Sequence, residues 1–221
     1  SINGDPSSKI TLLLCDKTPF TLCDKDGLAY QDYGTKIGIQ LNPLRTASKA
    51  LDYYENYIQT GNETQRDLFL NVANWIINSS KNYGNYSLLK YQFPFRDYAL
   101  ASGWHSPIAQ DKAIEVLILA HSVTNDKKYI DSAKMFFNSF FVEVKDGGIT
   151  YKSDKNGWWF EEYPSKVDGA KKPMVLNGMM SALLSINKYY NHTSDPNAKY
   201  LFDKGIVSLE TNLPHYDNNG Y

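Results

Sequence analysis

From Asn42 onward the apolar residues fall at intervals of three and four. Leu44, Ala47, Ala50, Leu51, Tyr54 and Ile58 form one stripe, the period of a helix with a single buried face. Asn42 reads as its N-cap, Pro43 as its first helical residue and Gly61 as its stop. Asn62 then caps a second helix, with Leu68, Val72, Trp75 and Ile76 as its stripe, running to about Lys81. The tight Gly61-Asn62 turn makes the two an αα-hairpin. The pattern recurs twice. Ser106-Pro107 opens a helix to about Val123, apolar nearly all round from Ala113 to Ala120 apart from Glu115, which predicts an inner, buried helix. Its partner, from about Asp126 to Phe141, turns Tyr129, Ala133, Phe136, Phe137 and Phe140 inward. Pro173 opens a third pair: a helix from Val175 to Tyr190, then Asp195-Pro196 as cap and first residue of a helix to about Leu213 carrying Ala198, Leu201, Phe202, Ile206 and Leu209. Hairpins beginning near residues 43, 107 and 173 predict a mainly α chain, an incomplete α/α toroid in which inner helices are the more apolar and long connections build the rim.

Ahead of the helices the period changes. Residues 1–41 hold short β-prone pieces, Ile10 to Leu14, Phe20 to Cys23 and Lys36 to Gln40, separated by turns such as Asp26-Gly27 and Tyr33-Gly34. The expected organisation is therefore a β-rich segment over 1–41 and a helical domain over 42–221. Two rim connections concentrate unusual residues. Residues 83–105 carry Tyr86, Tyr91, Phe93, Phe95, Arg96, Tyr98 and Trp104; residues 147–172 carry Tyr151, Trp158, Trp159, Phe160, Glu161, Glu162, Tyr163 and a lysine cluster. The second reads as a β-hairpin, with a strand Ile149 to Lys152, a turn at Asp154 to Gly157 and a strand Trp158 to Tyr163 stopped by Pro164.

Composition narrows the function. The 221 residues carry 23 Lys+Arg against 24 Asp+Glu, a net charge of -1, so the chain lacks the basic field that binding to a phosphate backbone relies on, and nucleic acid is an unfavoured partner. No apolar run approaches the roughly 18 residues of a membrane span. Seventeen tyrosines and 14% aromatics offer flat faces with hydroxyls, suited to sugar rings and equally to half-buried packing. The spacing of Cys15 and Cys23 suits a hairpin disulfide or two separate thiols. His105, His121, His192 and His215 show no ligand spacing, so no metal is expected. Sequons begin at Asn62, Asn78, Asn85 and Asn191, which would permit glycosylation in a secretory setting. A start at Ser1 rather than Met suggests a processed or trimmed terminus.

The most informative run is Glu161-Glu162-Tyr163 after three consecutive aromatics. In a strand the two glutamates point to opposite faces, so only one shares a site with its aromatic neighbours. A carboxylate among aromatics tends toward a raised pKa, as a general base or acid requires; a solvated pair at a hairpin end is the plainer alternative. The run WWFEEYP (158–164), followed by VLNG (175–178), resembles the WYEEYP and VLNG motifs of the D-glucuronyl C5-epimerase family, in its C-terminal helical domain. Further similarity lies in DYGTKIGIQLNP (32–43), AxxALxxYxxYxxTG (47–61), Ala109-Gln110 after Trp104, LAHSVTNDKKYIDSA (119–133) and GIxSLxxxLPxYD (205–217), in family order from about residue 24 onward.

The resemblance implies an enzyme that inverts C5 of D-glucuronic acid within a polysaccharide to give L-iduronic acid, without a cofactor. It implies Glu162 as base or acid, with Tyr163 assisting or positioning. A phenol with a pKa near 10 needs a positive neighbour to act as base, for which Lys166, Lys171, Lys172 and Arg96 are candidates. Tyr98, Trp104, Trp158 and Trp159 either stack on sugar or pack in the core; Gln110, Arg96 and Asn177 are further candidate substrate contacts, Asn177 alternatively capping its helix. The implied partner is a uronic-acid-containing polysaccharide of heparan type, with a homodimer also open and a secreted or lumenal location. The sequence departs from the family at Asp111-Lys112, where Gly-Gln is usual. It also lacks the YDLR and WDYH-like segments that supply two further tyrosines and an arginine, and most of the N-terminal β domain, so a helical domain truncated at its C-terminus is expected. A uronate lyase and a non-catalytic glycan-binding domain are the competing readings.

Overall fold

The computed structural model describes residues 10–15, 21–95, 100–165 and 172–217. In chain order its strands and helices are β1 Leu13–Leu14, β2 Thr21–Cys23, β3 Ala29–Asp32, β4 Ile39–Leu41, α1 Pro43–Thr60, α2 Glu63–Ser79, β5 Lys81–Asn82, β6 Ser87–Leu88, α3 Pro107–Thr124, α4 Lys127–Asn138, β7 Thr150–Ser153, β8 Gly157–Phe160, α5 Leu176–Thr193, α6 Pro196–Asn212 and α7 Pro214–Asp217. They form two compact units, Ser1–Val72 and Ala73–Tyr221.

In the first unit β1 to β4 make an antiparallel sheet in chain order, with Leu13 opposite Cys23, Leu22 opposite Tyr30 and Tyr30 opposite Leu41. Cys15 and Cys23 are joined by a disulfide with Cα atoms 5.1 Å apart, closing the β1–β2 edge. Strand β3 was not legible in the sequence, because Tyr30-Gln31-Asp32 has no apolar alternation. What holds it is α1. The buried Thr46 hydroxyl accepts from the Ala29 N–H at 3.0 Å and donates to the Ala29 carbonyl at 3.1 Å. Helix α1 starts where its cap predicts: the Asn42 side chain accepts the Arg45 N–H at 2.9 Å, Pro43 occupies the first turn, and Gly61 closes the helix in the left-handed region.

In the second unit α3 with α4 and α5 with α6 are antiparallel hairpins, and α3 packs along α5. The apolar segment of α3 is buried on nearly every face, as an inner helix requires. An aromatic core fills the space between the pairs: Phe137 stacks on Tyr189 with centroids 4.3 Å apart, and Phe140 meets Phe160 edge-on at 5.4 Å. Helix α4 ends at Asn138 and continues as a 3-10 turn through Phe141. The β7–β8 hairpin lies against α6, and Gly157 makes that approach possible. Its φ is +72°, and a Cβ there would stand 2.4 Å from the Lys204 carbonyl oxygen and 2.5 Å from the Ser208 nitrogen. Two boundaries differ from expectation. Strand β8 ends at Phe160, so Glu161 and Glu162 lie beyond the ladder, where strand alternation does not govern them. Helix α5 begins at Leu176 with Val175 as its N-cap, leaving Pro173 outside. No described helix is long and apolar enough to cross a membrane.

The α3–α5 seam encloses a carboxyl group. Asp111 is buried, and neither carboxylate oxygen has a partner at hydrogen-bonding geometry. Burial holds this carboxyl well above the usual carboxylate range, a rise that the nearby Ser181 hydroxyl and Lys112 only partly oppose. A carboxyl raised on folding contributes its stability below its unfolded pKa and loses it as pH rises through the folded value. Asp111→Asn is therefore expected to melt higher than the parent at pH 7, with the difference vanishing below the ordinary value of 3.8. Gly157→Ala is expected to lower stability by about 1–3 kcal/mol in denaturant unfolding, through backbone strain and separation of the hairpin from α6.

Candidate functional site

The site begins where β8 stops. The Glu161 N–H donates to the Ile149 carbonyl at 2.8 Å, the last bond closing the hairpin end. Its fully buried carboxylate turns back on the backbone, accepting the Met174 N–H at 2.8 Å and the Tyr163 N–H at 3.3 Å. Met174 holds the left-handed conformation at φ 49°, and its carbonyl accepts the Tyr216 hydroxyl. Glu161 is thus a clasp between the hairpin and the entry to α5, with both oxygens engaged by the backbone. Burial raises its carboxyl, and backbone N–H groups from Met174, Tyr163, Val175 and Glu162 oppose that rise.

Glu162 lies against the first turn of α5. A Cβ on Gly178 would fall 2.7 Å from the Glu162 Cβ and 3.0 Å from its Oε2, so the glycine of VLNG is what admits the glutamate. Burial raises the Glu162 carboxyl; hydrogen bonds from the Tyr163 side chain and the Gly178 N–H favour the ionised form and oppose the rise. Its Oε2 is buried with no hydrogen-bond partner. A buried carboxylate with an unpartnered Oε2 and a pKa raised by desolvation suits proton transfer.

Tyr163 continues from this carboxylate into an aromatic cluster. Its ring meets Phe95 edge-on at 5.4 Å and Trp104 at 6.3 Å, while Trp104 stacks on Tyr91 at 3.8 Å and donates its Nε1–H to the Phe93 carbonyl. Trp104 also lines a cleft of about 360 Å³, together with Tyr83, Tyr86, Lys90, His105 and Asp146 and with Pro164 and Ser165, the residues that follow Tyr163. Tyr83 and Tyr86 stack at 4.9 Å, 7° from parallel, with Lys90 Nζ 5.5 Å above Tyr83. The buried His105 places Nε2 3.0 Å from the Gly148 carbonyl oxygen. A flat aromatic wall beside an ammonium, an imidazole and a carboxylate is a surface that a polar ring can occupy.

The structure sorts the expected residues. Glu162, Tyr163 and Trp104 come together. Arg96 and Tyr98 lie outside the described residues, as do Lys166 and Lys171; Lys172 sits over the Tyr151 ring at 4.4 Å. Gln110 is wholly buried, accepting the Leu89 N–H and donating to the Ser87 carbonyl and Ser139 Oγ. It braces the segment around β6 rather than facing a ligand. Trp159 is buried and parallel to Tyr216, in the core, and Trp158 meets Phe141 and Tyr200 edge-on, away from the cleft. Asn177 is exposed and caps nothing; Val175 is the cap. Sequence reading passed over Tyr83, Lys90, His105 and Gly178 as site residues. Gly178 stood inside a quoted motif, but the other three carry no signal until the loop folds.

The GH76 α-mannanase BT2949 of Bacteroides thetaiotaomicron matches with a TM-score of 0.56 over 76% of this chain and 44% of that one, at 13% identity, a likeness of fold alone. The family model described as the D-glucuronyl C5-epimerase C-terminus matches residues 80–221. The chain belongs to that family, through its C-terminal domain. Among curated proteins it is 30% identical to the uncharacterised protein MJ1128 of Methanocaldococcus jannaschii, over 90% of this chain and 70% of the relative. It is 29% identical to the D-glucuronyl C5-epimerase of Caenorhabditis elegans over 70% of this chain, spanning only 26% of that enzyme. The homology supports a role in carbohydrate modification.

Gly178→Ala tests the seat of Glu162. The methyl must displace the glutamate, at a cost of about 1–3 kcal/mol, and is expected to abolish any activity that depends on Glu162 while circular dichroism keeps its helical signature.

Proposed function

We propose that the chain carries out C5-epimerisation of D-glucuronic acid residues in a polysaccharide, as a segment of an α/α toroid. The observation that carries the reading is the buried Glu162 carboxylate with its Oε2 unpartnered, next to Tyr163, whose ring packs on the Trp104 that lines the aromatic cleft. Epimerisation at C5 breaks one C–H bond next to a carboxylate. The base takes the proton, the electron pair delocalises into the carboxyl group, and a proton delivered to the opposite face restores the C–H bond with inverted configuration. The carbanion places two negative charges together, so the substrate carboxyl needs cationic or hydrogen-bonding partners. In this reading Glu162 is the base, Tyr163 assists its proton transfer, Trp104 with Tyr83 and Tyr86 forms the platform for the sugar, and Lys90 is the nearby cation. The name of the Caenorhabditis elegans relative supports this choice of reaction. The Cys15–Cys23 disulfide and the exposed sequon asparagines Asn62, Asn78, Asn85 and Asn191 favour a secreted or lumenal setting.

Incubation with a glucuronic-acid polymer in D2O tests the proposal. Proton NMR is expected to show loss of the C5 proton with no chain cleavage, and Glu162→Gln to stop that loss while polymer binding persists. Unsaturated ends absorbing in the ultraviolet would instead identify a lyase, and binding without exchange would leave a glycan-binding domain.

A further inference from the structure

Helices α3 and α5 end side by side, and each carries a histidine in its last turn, His121 and His192. They are 71 positions apart in the chain, yet His121 Nδ1 stands 3.2 Å from His192 Nε2, with the rings 86° apart. One ring donates its N–H to the other's lone pair. Burial and the adjacent His121 hold His192 below the ordinary imidazole value. The spacing matches metal chemistry. Two nitrogens each about 2.0–2.1 Å from a zinc-like ion stand roughly 3.3 Å apart at a tetrahedral angle and roughly 2.9 Å apart at a right angle. The observed separation lies between these.

The helix ends beside the pair favour a positive charge. The carboxyl ends of two helix dipoles meet at the pair, and these ends attract cations. The charged groups lining the groove beside His192 are Glu115 on α3 and Lys188 on α5, bonded to each other at 2.5 Å, with Lys112 also 3.4 Å from Glu115. A groove of about 380 Å³ lined by Glu115 and Lys188 with Ile118, Leu119, Asn191 and His192 gives room for hydration. Among the described residues no group of three His, Cys, Asp or Glu side chains is placed to hold a metal, so water would complete the coordination and the ion would exchange readily.

We propose that His121 and His192 form a surface site for one borderline divalent transition-metal ion of the zinc, nickel and copper class, bound through His121 Nδ1 and His192 Nε2. The pair lies at the opposite end of α5 from Gly178, about 21 Å along the helix, so the site is independent of the epimerase reading.

The test is titration of the untagged chain with Cu2+, Zn2+ and Mg2+ against a competing chelator, together with nitrogen NMR of the imidazoles. Cu2+ is expected to bind tighter than Zn2+, one ion per chain, with no binding of Mg2+. Both ring nitrogens should shift together, and affinity should fall as pH drops below the imidazole range. His121→Gln and His192→Gln should each weaken binding at least about tenfold. Equal affinity in the parent and the double variant would place the ion elsewhere and overturn the proposal. An absence of binding at millimolar metal would leave the pair sharing only a proton and would overturn it equally.

Discussion

The second unit depends on how the first turn of α5 is satisfied. No side chain caps this helix from its own N-cap position, since Val175 has nothing to offer. The amides at its entry are met from outside by two consecutive carboxylates at the end of β8. Glu161 takes Met174, and Glu162 lies over Gly178. Negative charge at a helix N-terminus is favoured by the dipole and by the unpaired N–H groups there. The same contact joins the hairpin to the inner helix and sets the direction from which Tyr163 enters the aromatic cluster.

Two glutamates adjacent in sequence thereby acquire different chemistry. Both are desolvated and both are raised, but Glu161 commits its oxygens to backbone donors, whereas Glu162 keeps one oxygen without a partner. A buried, incompletely satisfied carboxylate is costly to the fold, and its retention here is the physical ground of the proposed role in proton transfer. Burial alone is not enough. Asp111 is also buried and unsatisfied, but it lies in the seam between α3 and α5, whereas Glu162 is followed by Tyr163, which packs on Trp104, and by Pro164 and Ser165, which line the cleft.

Much of the helical frame was legible in advance. Asn42, Pro43 and Gly61, and Asp195 with Pro196, mark helix ends by local chemistry, and the capping bonds of Asn42 and Asp195 lie where those residues point. The continuous apolar run of α3 announced an inner helix for the same reason that it is buried. Strand β3 escaped notice because its stability comes from Thr46, 17 positions away from Ala29. Strand alternation past Phe160 failed because the hairpin ladder ends where the Glu161 carboxylate finds a better set of donors. Of the aromatic candidates, Trp159 and Trp158 went to packing and Trp104 to the cleft, a division that composition cannot make.

By itself the sequence determined most of the helix ends, the buried character of α3, the β7–β8 hairpin and, through EEYP and VLNG, the family. These depend on contacts within a turn or two, or on motifs read in one piece. Tertiary structure alone decided which glutamate keeps an oxygen without a partner, that Gln110 braces a loop, that Gly178 admits Glu162, and that His121 meets His192. Each of those outcomes depends on which segments the packed helices bring within a few ångströms of one another, and that proximity is a property of the folded chain.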